Sequence, residues 1–150
     1  MKFEYLNNLN ETQREAVCYL EGPLLIVAGA GSGKTRVITS KIAHIIKQKI
    51  AYPSQILAVT FTNKAANEML RRVNDILEKD AIDLSWVGTF HSISAKLLRR
   101  HAKAANLNSN FTIIDQDDQT RLIKNICKAE NIDVKKISPN FILSVIDKWK

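Results

Sequence analysis

Cysteine is scarce. Cys18 and Cys127 are the only two in 150 residues, too few and too far apart for a disulfide scaffold or a zinc module. Long apolar runs are missing as well. No stretch approaches the roughly 18 residues of a membrane span. The short run at residues 24–30 has no basic segment before it, as a secretory leader requires. Repeats and low-complexity segments are absent. Acidic residues are in deficit, with 15 Asp and Glu against 22 Lys and Arg, a formal net charge of +7. These shortages exclude secreted, membrane-spanning and zinc-stabilised classes and point to a soluble protein of the reducing cytoplasm. The basic balance favours an anionic partner, nucleotide or nucleic acid, without choosing between them.

What remains is ordinary globular material. Apolar residues make up 45%, enough for a buried core in a chain of about one domain. Asn10 followed three residues later by Gln13 is a capping-box pattern opening a helix over residues 11–20. Gly22 and Pro23 end it. Residues 24–28 are an unbroken apolar run, as in a strand buried on both faces. Beyond a glycine-rich turn, Val37, Ile38, Ile42, Ile45 and Ile46 recur at helical spacing. Residues 56–60 read as a second buried strand. A helix carrying Ala65, Ala66, Met69, Val73, Ile76 and Leu77 follows. Residues 86–89 read as a third strand, before a helix with Ile93, Leu97 and Leu98. Strand–helix alternation of this length predicts a mainly parallel sheet flanked by helices. From the polar loop around Asn106 onward only helices are predicted. One is capped by Asp115, and another has Ser138 as its cap and Pro139 at its first position. The expected boundary lies near residue 105, with residues 1–105 as the α/β part and 106–150 as the start of an all-helical subdomain. No closing strand follows the last helix, so a piece of a longer protein is expected.

The strongest motif is Ala28-Gly29-Ala30-Gly31-Ser32-Gly33-Lys34-Thr35, between an apolar run and a helix. Gly29, Gly31 and Gly33 let the backbone turn so that successive amides face inward as an anion nest. The helix start adds partial positive charge. Lys34 can reach β- and γ-phosphates, and the Thr35 hydroxyl can ligate Mg²⁺. Ala28 stands where the usual form of this phosphate loop has glycine.

Two further segments end predicted strands, where ligands of open α/β sheets bind. At the first, Phe61 can stack on an unpaired base, Thr62 and Asn63 can donate to a phosphate, and Lys64 adds charge. The alternative is that Phe61 is core and Thr62 caps the next helix. At the second stand Thr89, Phe90 and His91, and a lone histidine there is also compatible with a structural role. Lys96, Arg99, Arg100 and Lys103 fall on one helix face, either a basic track or a solvated surface.

Leu9-Asn10 with Gln13, the loop through Arg36, residues 60–66 and residues 88–91 resemble, in order and spacing, superfamily 1 DNA helicases of the UvrD/Rep/PcrA type. Residues 115–119 look like the start of that family's first helical insertion. The resemblance covers nearly the whole chain. It implies a RecA-like P-loop NTPase fold, ATP and Mg²⁺ as cofactors, single-stranded DNA and duplex junctions as partners, and ATP-driven 3′-to-5′ translocation and unwinding, usually in repair and replication restart. It implies that Gln13 reads the adenine edge and Arg36 flanks the ring. Ala28, Gly29, Ala30, Gly31, Ser32, Gly33, Lys34 and Thr35 would hold the phosphates, with Lys34 and Thr35 serving catalysis and Thr35 the magnesium. Phe61, Thr62, Asn63, Thr89, Phe90 and His91 would line the DNA track.

The departures from the family are as informative. Its magnesium-binding and water-activating Asp-Glu pair has no counterpart in these 150 residues, and Asp115 reads as a helix cap. The later arginine fingers and second motor domain are missing too. The expectation is that these residues alone bind nucleotide weakly and hydrolyse it very slowly or not at all, the longer protein being the enzyme. The rival is a stand-alone nucleotide- and DNA-binding module. A small nucleotide kinase would leave residues 60–66 and 88–91 unexplained.

Overall fold

The structure is a computed structural model that describes residues 3–78, 82–134 and 136–149. The chain divides into two compact units, Met1–His101 and Ala102–Lys150. The first is mixed helix and strand. It holds α1 (Glu11–Cys18), α2 (Lys34–Lys47), β1 (Ala58–Thr60), α3 (Asn63–Leu77), β2 (Val87–Thr89) and α4 (Phe90–Arg100). The second holds α5 (Gln116–Ala129) and α6 (Pro139–Trp149), with only helices among its described residues. No described helix is long and apolar enough to cross a membrane.

Local chemistry sets most helix starts. The Asn10 side chain accepts from the Gln13 amide at 2.8 Å, and the Gln13 side chain accepts from the Asn10 amide at 3.2 Å. The expected capping box is therefore formed. Thr62, Thr89 and Asp115 cap α3, α4 and α5, each side chain accepting from the backbone N–H three residues on. The Phe141 amide donates to Ser138 Oγ at 3.2 Å. Such caps satisfy amides that have no partner within the helix.

β1 and β2 pair in parallel, with Ala58, Val59 and Thr60 opposite Val87, Gly88 and Thr89. α3 is the crossover between them, and its apolar face carries Met69, Val73 and Leu77. These close on Ile42 and Ala43 of α2, and on Leu84 and Val87, to form the main core. A smaller cluster of Leu9, Val17 and Val37 locks α1 onto α2.

The sheet is smaller than the sequence predicts. Residues 24–28 form no ladder with β1 or β2. They are not a strand buried on both faces: Leu25 and Val27 are each 87% exposed, while Ile26 packs on the Leu9–Val17–Val37 cluster. The alternation is that of extended chain with one covered side. A strand requires a lateral partner to satisfy its amides, and no described segment supplies one here. β1 departs in the same sense, since Val59 is exposed.

Candidate functional site

The phosphate-loop motif forms a turn into α2. Ser32 N–H donates to the Gly29 carbonyl at 3.3 Å, and Ser32 Oγ donates to the same oxygen at 2.7 Å. Gly31 and Gly33 have φ of 75° and 88°, a left-handed region that costs an L side chain about 1–2 kcal/mol. A Cβ at Gly29 or Gly31 would meet nothing within 4 Å, so the space above the turn is open. Gly33 is the N-cap of α2 and offers no side chain. The free amides of the first turn and the helix dipole are thus left for an external anion.

The Lys34 ammonium lies back over this turn. It donates to the Ala28 carbonyl at 2.7 Å and to the Gly29 carbonyl at 2.6 Å. A cation is therefore held at the same concave surface that the amides and the open space above Gly29 define. This donor set suits a polyphosphate. Thr35 stands exposed at the next position, its carbonyl accepting from Thr39 Oγ1 at 3.0 Å.

α1 supplies the neighbouring wall. Gln13 Nε2 donates to the Ser32 carbonyl at 3.0 Å. Gln13 thus spends one lone pair on Asn10 and one N–H on the loop, and a primary amide retains one of each. A cleft of about 210 Å³ lies here, lined by Gln13, Ile26, Ser32 and Lys34 among others. Arg36 turns the other way, donating to the Asn8 carbonyl at 3.4 Å. It borders a larger cleft of about 460 Å³ with Tyr5, Asn8, Arg72 and Asp75, which contains no residue of the loop itself.

The strand ends form a second surface. Because Thr60 lies opposite Thr89, the residues that follow them emerge side by side. Phe61 and Phe90 have ring centroids 5.5 Å apart and planes tilted by 47°. Phe61 is 87% exposed and Phe90 49%, so Phe61 is not core. Asn63 and His91 are exposed beside them. The hydroxyls of Thr62 and Thr89 are committed as caps, and Thr89 is buried. Gly88 lets α4 pack close to β2, since a Cβ there would stand 2.7 Å from Ser92 Oγ. The basic helix face is partly occupied. Lys96 Nζ donates to the Ser85 carbonyl at 2.7 Å, and the Arg100 guanidinium lies 5.7 Å from the Trp86 ring centroid. Lys103 falls in the second unit.

Three residues behind the site had no signature in the sequence. Tyr5 Oη meets His44 Nδ1 at 2.7 Å on α2. Burial, with a smaller contribution from Cys18, pushes the Tyr5 hydroxyl up to about 12. Lys41 Nζ donates to the Ala16 carbonyl at 3.0 Å and to the Tyr19 carbonyl. No group of three or more His, Cys, Asp or Glu side chains that could hold a metal ion occurs among the described residues.

Residues 9–150 match the model of a family described as the UvrD/REP helicase N-terminal domain. The chain is 50% identical over 149 residues to a probable DNA helicase II homolog of Rickettsia conorii, covering 98% of this chain and 22% of that protein. It is 49% identical over 149 residues to the DNA helicase II of Rickettsia typhi, covering 97% and 22%. Against the ATP-dependent DNA helicase PcrA of Staphylococcus aureus it is 49% identical over 145 residues, covering 97% and 20%. The chain thus spans about a fifth of the length of the curated relatives it matches.

Proposed function

The chain belongs to the UvrD/REP helicase family, and on that premise we propose that it is the nucleotide- and single-strand-binding part of an ATP-dependent 3′-to-5′ DNA helicase. In this reading residues 1–105 open a RecA-like motor domain, and residues 106–150 begin its helical insertion. The protein works in the cytoplasm on single-stranded DNA and duplex junctions. The observation that carries the nucleotide half is the opening of α2. It has left-handed glycines, no side-chain cap, and the Lys34 ammonium folded onto the same turn.

Residues 28–35 and the first amides of α2 grip the phosphates, and Lys34 exchanges two backbone carbonyls for β- and γ-phosphate oxygens. The Thr35 hydroxyl would hold Mg²⁺, which, when bound, neutralises charge on the phosphates. Gln13 keeps one donor and one acceptor free. Adenine presents a complementary pair, the N7 acceptor and the N6 amino donor, whereas guanine offers two acceptors on the same edge. That mismatch favours ATP over GTP. Arg36 borders the base by giving up its bond to the Asn8 carbonyl.

The exposed Phe61–Phe90 pair takes unpaired bases on its faces, with Asn63 and His91 beside it for the backbone. No Asp-Glu pair occurs in the 150 residues, so water activation comes from the remainder of the longer protein, and this portion alone is hydrolysis-deficient. DNA-stimulated ATPase on the full-length protein tests the whole reading. A Lys34→Ala variant should lose it. A full-length product that binds both ligands with no stimulated hydrolysis would instead be a binding module.

A further inference from the structure

Gln13 is held at a distance as well as locally. Its helix, α1, has only eight residues, too few to be stable alone. It is gripped at two points, one in the loop that leads into α2 and one on α2 itself. Near the first, Gln13 Nε2 bonds the Ser32 carbonyl and its side chain lies against Gly33. At the second, Lys41 reaches across to the far end of α1. Its ammonium donates to the carbonyls of Ala16 and Tyr19 and lies 5.8 Å from the Tyr19 ring centroid. These are carbonyls of a helix end, where a cation is favoured by both hydrogen bonding and the dipole.

Lys41 stands seven residues beyond Lys34 on the same helix, about 10 Å along its axis. α2 is therefore a rigid bar that carries the phosphate-binding lysine at one end and the clamp on α1 further along. Between the two grips the helices pack through an apolar cluster of Leu9, Val17 and Val37, with Leu6, Ala16 and Ile26 against it. Apolar contact of this kind is not directional and does not fix the rotation of a short helix. The two Lys41 bonds do. Lys41 is partly buried, and that burial draws its pKa down.

We infer that Lys41 is a positioning residue for base selection, setting the rotation of α1 so that the Gln13 amide faces the base while bonded to the phosphate loop. The inference rests on the reading that Gln13 recognises adenine. Lys41 touches neither base nor phosphate in this role; it acts through Gln13.

The test is equilibrium binding of ATPγS and GTPγS to the full-length protein carrying Gln13→Ala, Lys41→Met, both together, or Lys41→Arg. Each single change, Gln13→Ala and Lys41→Met, is expected to lower the preference for the adenine nucleotide by roughly 2- to 10-fold, the worth of one hydrogen bond. The double variant should lose no more than either, because both act on one contact. Lys41→Arg, which retains the donors and the charge, should restore the preference. A purely structural lysine would weaken both nucleotides equally and leave their ratio unchanged. If Gln13→Ala shifts the ratio and Lys41→Met does not, the inference falls and adenine reading survives. If Gln13→Ala leaves the ratio unchanged, both fall. Should Lys41→Met fail to fold, Lys41→Ala, which also lacks a donor, replaces it in the same comparison, and an unshifted ratio there is equally fatal.

Discussion

Gly33 and Gln13 are packed so closely that a Cβ built on residue 33 would stand 2.8 Å from the Gln13 side-chain nitrogen. The contact joins the start of α2 to the start of α1. It also means that residue 33 is constrained twice, by its φ of 88° and by its neighbour.

Gly33→Ala therefore carries two penalties. The left-handed backbone costs a side chain about 1–2 kcal/mol. The new methyl then pushes the flexible Gln13 amide off the Ser32 carbonyl. Differential scanning calorimetry should show a lower Tm, and titration with an ATP analogue should show weakened binding. A variant with unaltered binding would mean that Gln13 and the turn are not coupled.

Lys34→Ala should leave the fold intact. The side chain is exposed, and among the described residues its bonds are to two loop carbonyls. Its loss removes a charge-assisted contact worth about 1.5–3 kcal/mol, or roughly 10- to 150-fold in affinity for an ATP analogue. Circular dichroism should be unchanged. Wild-type affinity would remove the phosphate role assigned to this residue.

Legibility in the sequence followed the range of the interaction. The Asn10–Gln13 capping box and the Asp115 cap were readable because both partners lie within one turn. The helical stripes of α2 and α3 were readable for the same reason. Residues 24–28 were misread because a strand is a property of its neighbours, and no described segment pairs with them. Phe61 stayed ambiguous because its exposure depends on the register of β1 against β2, 29 residues away. Lys41 gave no signal at all, since its acceptors are main-chain carbonyls that any residue provides.

Phe61→Ala separates stacking from charge. The ring touches Phe90 and is otherwise exposed, so thermal stability should change little. Single-strand affinity should fall by about 1–3 kcal/mol, the range for one base–aromatic stack. Because stacking releases no counterions, the salt dependence of binding should keep its slope. A changed slope with unchanged stacking loss would point to phosphate contacts at this surface instead.

The Tyr5–His44 bond makes stability depend on pH in a defined direction. His44 is 4% exposed, and its Nδ1 is hydrogen-bonded to the Tyr5 hydroxyl at 2.7 Å. Its ring also meets Phe3 edge-on, and Lys47 lies over the Tyr5 ring 5.1 Å from its centroid. Burial first, and the positive charge of Lys41 second, lower its pKa below the usual 6.5. Protonation would make both ring nitrogens donors and set a cation among cations. The unfolded chain thus binds this proton more readily than the folded one, and stability rises with pH across the interval between the two pKa values. The contribution is complete above about pH 6.5 and is lost as the pH falls from there towards the folded-state value. Urea unfolding at pH 7.5 and pH 5.0 should show the wild type losing more stability than His44→Gln, which retains an acceptor for Tyr5 but does not titrate. The difference should be on the order of 1 kcal/mol, the worth of one hydrogen bond. Parallel losses in the two proteins would show that His44 is not the titrating group.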